Sequence, residues 1–241
     1  MESQPILILG GFLISPSSYV PMAEVLRRVT GQPVDIVPIT RAEWLLTVFP
    51  FAWATILDRA QAMAEALCRQ SATGRITMIG HSSGGIMLRL FLADEPFQGR
   101  RYNGKRLTDT VVMLGSPHTA LKATSMRRMV DQRLPGAVFA DQVRYVSVAG
   151  DLDLDTASPT ARRLAPTAYR NSSGDPLDRG DGLVPVASAL LAGSCPLILP
   201  GVAHGGAFGP CWYGSPEVVE RWWATVAAGS ARQTPASGAT A

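Results

Sequence analysis

Six short apolar stretches, often β-branched, recur along the chain: Ile6–Leu9, Val34–Ile39, Ile76–Ile79, Thr110–Leu114, Val143–Val148 and Leu197–Leu199. Most are apolar at consecutive rather than alternate positions, the pattern of strands covered on both faces of a parallel sheet. Between them, Val20–Val29, Ala54–Gln70, Gly85–Ala93, Ala123–Gln132, Val186–Ala192 and Pro216–Ala228 carry amphipathic or alanine-rich helical spacing. The last opens with Ser215 as N-cap and Pro216 at the first helical position, and puts Val219, Trp222, Trp223 and Val226 on one face. Strands alternating with helices predict an α/β fold: a mainly parallel sheet of about six strands with helices on both faces. Crossovers should be right-handed and ligands should gather at the carboxyl ends of the strands. From Asp151 to Gly182 the pattern lapses into a polar insertion, and the small residues of Gly229–Ala241 predict a disordered tail. One domain over 1–228 followed by a tail over 229–241 is the expected organisation.

Composition narrows this picture. With 241 residues, 46% hydrophobic and 17% charged, the chain can bury one good-sized core. The net charge is +3 and the arginine pairs (Arg27/Arg28, Arg100/Arg101, Arg127/Arg128, Arg162/Arg163) are scattered rather than striped, so nothing calls for a nucleic-acid partner. The start MESQPILILGG lacks a basic n-region and a cleavage site, which predicts a cytoplasmic protein. Cys68, Cys195 and Cys211 are odd in number and widely spaced, against a disulfide framework or a zinc site. The glycosylation pattern Asn171-Ser172-Ser173 is then an ordinary polar loop. The longest apolar run, Trp44 to Leu57, is too short to span a bilayer and contains Pro50, so it reads as core, lid or an interfacial segment making at most transient contact with a membrane surface.

The candidate chemistry sits where the third apolar stretch ends, in Gly80-His81-Ser82-Ser83-Gly84-Gly85. Gly-x-Ser-x-Gly between a strand and a helix describes a nucleophile elbow, a strained turn that exposes a serine. A nucleophilic serine needs a histidine base, an acid to orient that histidine, and backbone donors for an oxyanion, in the chain order serine, acid, histidine. Of three histidines, His81 lies inside the elbow and should point away from Ser82. His118 precedes every plausible acid. His204 follows the last strand and satisfies the order. Two acids compete: Asp151, directly after a strand but inside the repetitive DLDLD, and Asp181 between Gly180 and Gly182, twenty-three residues before His204. The DLDLD run fails as a calcium loop, with Thr156 where glycine and Arg162 where glutamate are required. Oxyanion donors are expected at the N–H of Ser83 and, in the glycine turn after the first strand, of Phe12.

The stretches ILILGGF, GHSSGG, LGSPH, GDGLVPV, GVAH and WYGSPEVVERWW together resemble the α/β-hydrolase superfamily in its compact lipase-like branch, over roughly residues 5–225. The first four are similar to bacterial triacylglycerol lipases and inositol-deacylase-like hydrolases, where the acid occupies an Asp-Gly-Leu-Val type turn; that resemblance favours Asp181 over Asp151. YNGKRLTDTVVMLGSPH with WYGSPEVVERWW is similar to cyanobacterial and plant-plastid esterases and lipases. Two departures stand out: Gly10 where many lipases carry histidine, and Gly205-Gly206 after the base where relatives carry a bulkier pair.

The expected activity is hydrolysis of a small-molecule or lipid ester by Ser82, Asp181 and His204 through an acyl-enzyme, with no cofactor, no metal and no obligate protein partner. Trp44 and Phe51 are the expected acyl-contacting residues. An amide or thioester hydrolase would use the same constellation, and a non-catalytic ligand-binding protein could retain the fold.

Overall fold

The computed structural model describes residues 4–230. Six strands form one wholly parallel sheet: β1 (Ile6–Leu9), β2 (Val34–Ile36), β3 (Ile76–His81), β4 (Thr108–Leu114), β5 (Arg144–Asp151) and β6 (Cys195–Pro200), in the order β2-β1-β3-β4-β5-β6. The helices are α1 (Val20–Thr30), α2 (Arg41–Leu45), α3 (Pro50–Cys68), α4 (Ser83–Leu92), α5 (Ser125–Arg133), α6 (Pro159–Ser172), α7 (Val186–Ala189) and α8 (Pro216–Ser230).

Alternation along each strand divides the core into two layers. Leu7, Leu9, Met78, Val111 and Met113 face α3, α4 and α5, while Ile6, Ile8, Ile79, Val112 and Val148 face α1 and α8. Both layers exclude water, which is why the central strands read as continuous apolar runs. The edge strands differ. β2 stops at Ile36, short of the expected Ile39, because Pro38 offers no N–H for a further ladder bond. At the other edge, β6 carries Pro196 and Pro200 and is largely exposed.

Two helices lie where none was expected. The polar insertion contains α6, capped by Ser158 and started by Pro159, whose buried face is only Ala161, Ala165 and Tyr169. A stripe that small, interrupted by Pro166 and set among Arg162, Arg163 and Arg170, gives little periodic signal. Helix α2 is a single turn and a half held by a reciprocal cap, Glu43 N–H to Thr40 and Thr40 N–H back to the Glu43 carboxylate. Helix α7 ends at Ala189, three residues before the expected Ala192. Helix α8 runs to Ser230; the rest of the stretch read as a tail, 231–241, lies outside the described residues. No helix among the described residues is long and apolar enough to cross a membrane.

The topology places the chemistry. From β1 the chain moves outward to β2, then returns to β3 on the other side of β1. The loops leaving β1 and β3 therefore diverge from a common point, and a crevice opens between them at the carboxyl edge.

Candidate active site

Ser82 stands at the end of β3 with φ 52° and ψ −119°, a conformation that non-glycine residues seldom adopt. Its N–H is tied to the Leu114 carbonyl of β4 at 2.9 Å. The flanking glycines have a steric reason. A Cβ on Gly80 would lie 2.5 Å from the Gly85 Cα, and one on Gly84 would run into the Leu9 and Gly10 carbonyl oxygens. Only without those carbons can α4 start so close above β1 and β3. The turn after β1 passes directly beside the serine, since a Cβ on Gly11 would sit 2.9 Å from that of Ser82.

His204, on the loop after β6, joins two residues that are far apart in sequence. Its Nε2 lies 3.0 Å from Ser82 Oγ and its Nδ1 2.8 Å from Asp181 Oδ2. The carboxylate accepts from Nδ1–H, so Nε2 is the acceptor for the serine hydroxyl, a tautomer assigned from the bonding partners. The His204 N–H also donates to the Asp181 carbonyl, at 2.8 Å, so backbone and side chain are fixed to one another. Ser82, Asp181 and His204 are all buried.

Asp181 sits in a turn closed by a bridge between Gly180 and Pro185. Its Oδ1 accepts from the N–H groups of Leu183 and Val184, at 3.0 and 2.7 Å, and its Oδ2 accepts from His204 and from the Tyr213 hydroxyl at 2.9 Å. Tyr213 in turn accepts from Gly150 N–H at 2.6 Å. Burial, followed by the Asp181 charge, pushes the Tyr213 phenol well above its ordinary range, so it stays a donor. Asp151 points elsewhere, into an ion pair with Arg179. The structure thus brings Asp181, and not Asp151, against His204.

The two expected donors are unclaimed: neither Phe12 N–H nor Ser83 N–H has an acceptor among the described residues. Two histidines lie outside this line. His118 is buried beside Arg89, its Nδ1 3.4 Å from that guanidinium; burial, with the Arg89 and Arg127 charges, lowers its pKa. His81 is wholly buried under the site, bonded to Tyr19 and to the His204 carbonyl.

The apolar run expected to line the acyl site divides in two. Trp44 is 1% exposed and belongs to the core, meeting Phe12 edge-on at 6.1 Å between centroids. Trp53, Ile56 and Leu57 are buried with it, on the inner face of α3. Phe51 is 55% exposed and stacks on Phe49, beside exposed Leu45, Leu46 and Val48. The run is therefore neither wholly lid nor wholly core, because α3 begins at Pro50 and turns one face inward. A cleft of about 670 Å³ opens between the loops after β1 and β2, walled by Ser15, Pro38, Arg41, Glu43 and Arg59 among others, but neither Ser82 nor His204 lines it.

Tyr213 and Tyr19 are the residues that sequence reasoning missed; each reaches the site by one hydroxyl, and although Tyr213 lies in WYGSPEVVERWW, nothing in that stretch assigns it a role.

No family model matches the chain, and no curated protein matches its sequence. Solved structures do match. A protein from Xanthomonas campestris assigned to the α/β-hydrolase superfamily superimposes with a TM-score of 0.52 at 14% identity, over 92% of this chain and 99% of that one. A gene product of Listeria innocua gives 0.52 at 16% identity, over 97% and 96%. Est1E from Butyrivibrio proteoclasticus gives 0.51 at 15% identity, over 94% and 89%. With the six-stranded parallel sheet, these likenesses show that the chain has the α/β-hydrolase fold.

Proposed function

On this fold, we propose that the protein is a serine hydrolase of carboxylic esters, with Ser82 as nucleophile, His204 as base and Asp181 as the acid that orients it. The observation that carries the reading is the unbroken line Ser82 Oγ–His204–Asp181, at 3.0 and 2.8 Å, on an elbow that holds the serine at positive φ. Such a turn costs backbone energy and persists where the surroundings enforce it.

Ser82 Oγ bonds to the ester carbonyl carbon as its proton passes to His204 Nε2. The resulting oxyanion receives hydrogen bonds from the N–H groups of Phe12 and Ser83, each worth about 2.7–4 kcal/mol in measured oxyanion holes. Collapse breaks the bond to the alcohol, which leaves with the proton from His204. Water then repeats the sequence on the acyl-enzyme and frees Ser82. Asp181 holds Nδ1–H throughout, so the imidazolium that forms is paired with a carboxylate.

An apolar acyl chain suits the surroundings. Phe12, 45% exposed, meets Trp44, and the segment that follows Trp44 exposes Leu45, Leu46, Val48, Phe49 and Phe51, which supports a lipid or medium-chain ester and brief contact with a lipid surface.

The test is labelling with a fluorophosphonate alongside a panel of p-nitrophenyl esters. The wild-type chain should be labelled and should hydrolyse medium-chain esters faster than acetate, while Ser82→Ala should do neither and remain folded. An active or labelled Ser82→Ala variant would overturn the assignment.

A further inference from the structure

Below Ser82 a second hydrogen-bonded line runs from the turn after β1 to the loop after β6. Gly11 N–H donates to Tyr19 Oη at 2.7 Å, Tyr19 Oη lies 2.8 Å from His81 Nδ1, and His81 Nε2 lies 2.9 Å from the His204 carbonyl oxygen. Tyr19 and His81 have no exposed surface. The directions are fixed by chemistry. The His204 carbonyl can only accept, so His81 carries its hydrogen on Nε2 and donates it there. The bare Nδ1 of the neutral ring then takes the Tyr19 proton, while Tyr19 accepts from Gly11. Burial, then the neighbouring His204, keep His81 from taking a second proton, and burial keeps the Tyr19 phenol from losing its one.

Packing alone does not call for these residues. Two apolar rings would fill the space without the desolvation that a buried hydroxyl and imidazole incur. What the polar pair adds is at its ends: one is the peptide next to the Phe12 donor, the other is the backbone of the base. The ring of Tyr19 presses so closely on the turn that a Cβ on Gly10 would lie 2.7 Å from its Cε2, leaving the turn no room to sink away from Ser82.

We propose that Tyr19 and His81 are positioning residues that hold the oxyanion turn and the His204 loop in one register. The proposal rests on the serine-hydrolase reading of Ser82, His204 and Phe12. It accounts for a histidine inside the elbow whose hydrogen bonds go to Tyr19 and a backbone carbonyl and to no reacting atom. When Ser82 attacks, the turn and the base must be correct together, and one rigid line sets both.

The experiment measures the rate at which a fluorophosphonate labels Ser82 in the full chain, together with the affinity for an aryl trifluoromethyl ketone, whose adduct carries the oxyanion. Three variants are compared with wild type after circular dichroism establishes that they are folded. Tyr19→Phe removes the hydroxyl alone. His81→Gln keeps an N–H near the Nε2 position for the His204 carbonyl but offers Tyr19 no acceptor. His81→Asn does the reverse. Tyr19→Phe and His81→Gln should be labelled about tenfold more slowly and should bind the ketone more weakly by a similar factor, with KM for any ester substrate within about twofold. His81→Asn should slow labelling with a smaller loss of ketone affinity. A folded Tyr19→Phe variant labelled at the wild-type rate overturns the proposal; if that variant does not fold, a folded His81→Gln variant labelled at the wild-type rate overturns it instead. A wild-type chain that is labelled but hydrolyses no ester overturns the ester assignment and leaves the positioning line standing; a wild-type chain that is not labelled overturns both.

Discussion

Asp181 has no exposed surface, and a buried carboxylate is tolerated only when its lone pairs are filled. Four donors fill them: two backbone N–H groups on one oxygen, His204 and Tyr213 on the other. The backbone pair is redundant with Tyr213 for orientation, whereas nothing else replaces the charge. Asp181→Asn should therefore cut kcat by something near the ~10⁴ measured for the equivalent change in a serine-protease triad. Tyr213→Phe should cost far less activity, about tenfold, and show mainly in stability. Removing the hydroxyl strands the Gly150 N–H in the core, a loss of about 1–3 kcal/mol. Steady-state kinetics and thermal unfolding on the two variants check the contrast; equal losses of kcat would contradict it. At this scale the sequence was legible where spacing and chain order constrain chemistry. Ser82 came from the elbow pattern and His204 from its place after the last strand. Asp181 came from its glycine-bounded turn and the resemblance. Tyr213 and Tyr19 were not legible: each acts through one hydroxyl across 32 and 62 residues, and no local pattern marks such a contact. Hydrophobicity alone marks Trp44 and Phe51 without saying which face of α3 or its approach turns inward; Trp44 is buried and Phe51 exposed.

The element on which the site depends is the junction of β3 and α4. It works because two backbones come closer than side chains allow. The glycine pattern that makes it legible is therefore also its weak point. Gly84→Ala would drive a methyl group into the Leu9 and Gly10 carbonyls, backbone atoms of a central strand that cannot swing aside. Overpacking at yielding sites costs about 1–3 kcal/mol, and this site does not yield, so the loss should reach the upper end of that range. Chemical denaturation should show it, and labelling of whatever remains folded should be slow because Ser82 moves with α4. Gly206→Ala is the control: no atom lies within 4 Å of a Cβ there, and stability should hardly change. An unchanged denaturation midpoint in Gly84→Ala would mean that α4 can slide off β1. Elements with weaker patterns were harder to read. Helix α6 hides because its buried face is two alanines and a tyrosine, while β1 and β3, buried throughout and opening on apolar runs, could be placed to the residue at their starts.

At the scale of the molecule, two of the three histidines, His81 and His118, are buried outside the Ser82–His204–Asp181 line, and that has a consequence for the response to acid. In the unfolded chain His81 and His118 titrate near the ordinary value of 6.5. Folded, both are pushed well below it: His81 by burial and then His204, His118 by burial and then the Arg89 and Arg127 charges. Above pH 6.5 neither state binds a proton at these rings, and stability is undiminished. Below it the unfolded chain takes up protons that the folded chain refuses, so the folded state loses ground. Each ring contributes a slope of about 1.4 kcal/mol per pH unit until its folded pKa is reached. The loss therefore begins at mildly acidic pH, above the range in which ordinary carboxylates titrate. Thermal unfolding followed from pH 8 to pH 5 should show a flat midpoint down to about 7 and a steady fall below 6.5. His81→Gln, which cannot be protonated, should lower the midpoint at pH 8 but fall less steeply on acidification, because one of the two rings no longer contributes. A midpoint in the wild-type chain that stays level from pH 7 to pH 5 would mean that these histidines are protonated in the folded state. Tyr19 would then have to accept from His81 Nδ1–H as well as from Gly11, leaving its own hydroxyl hydrogen without its acceptor at that ring.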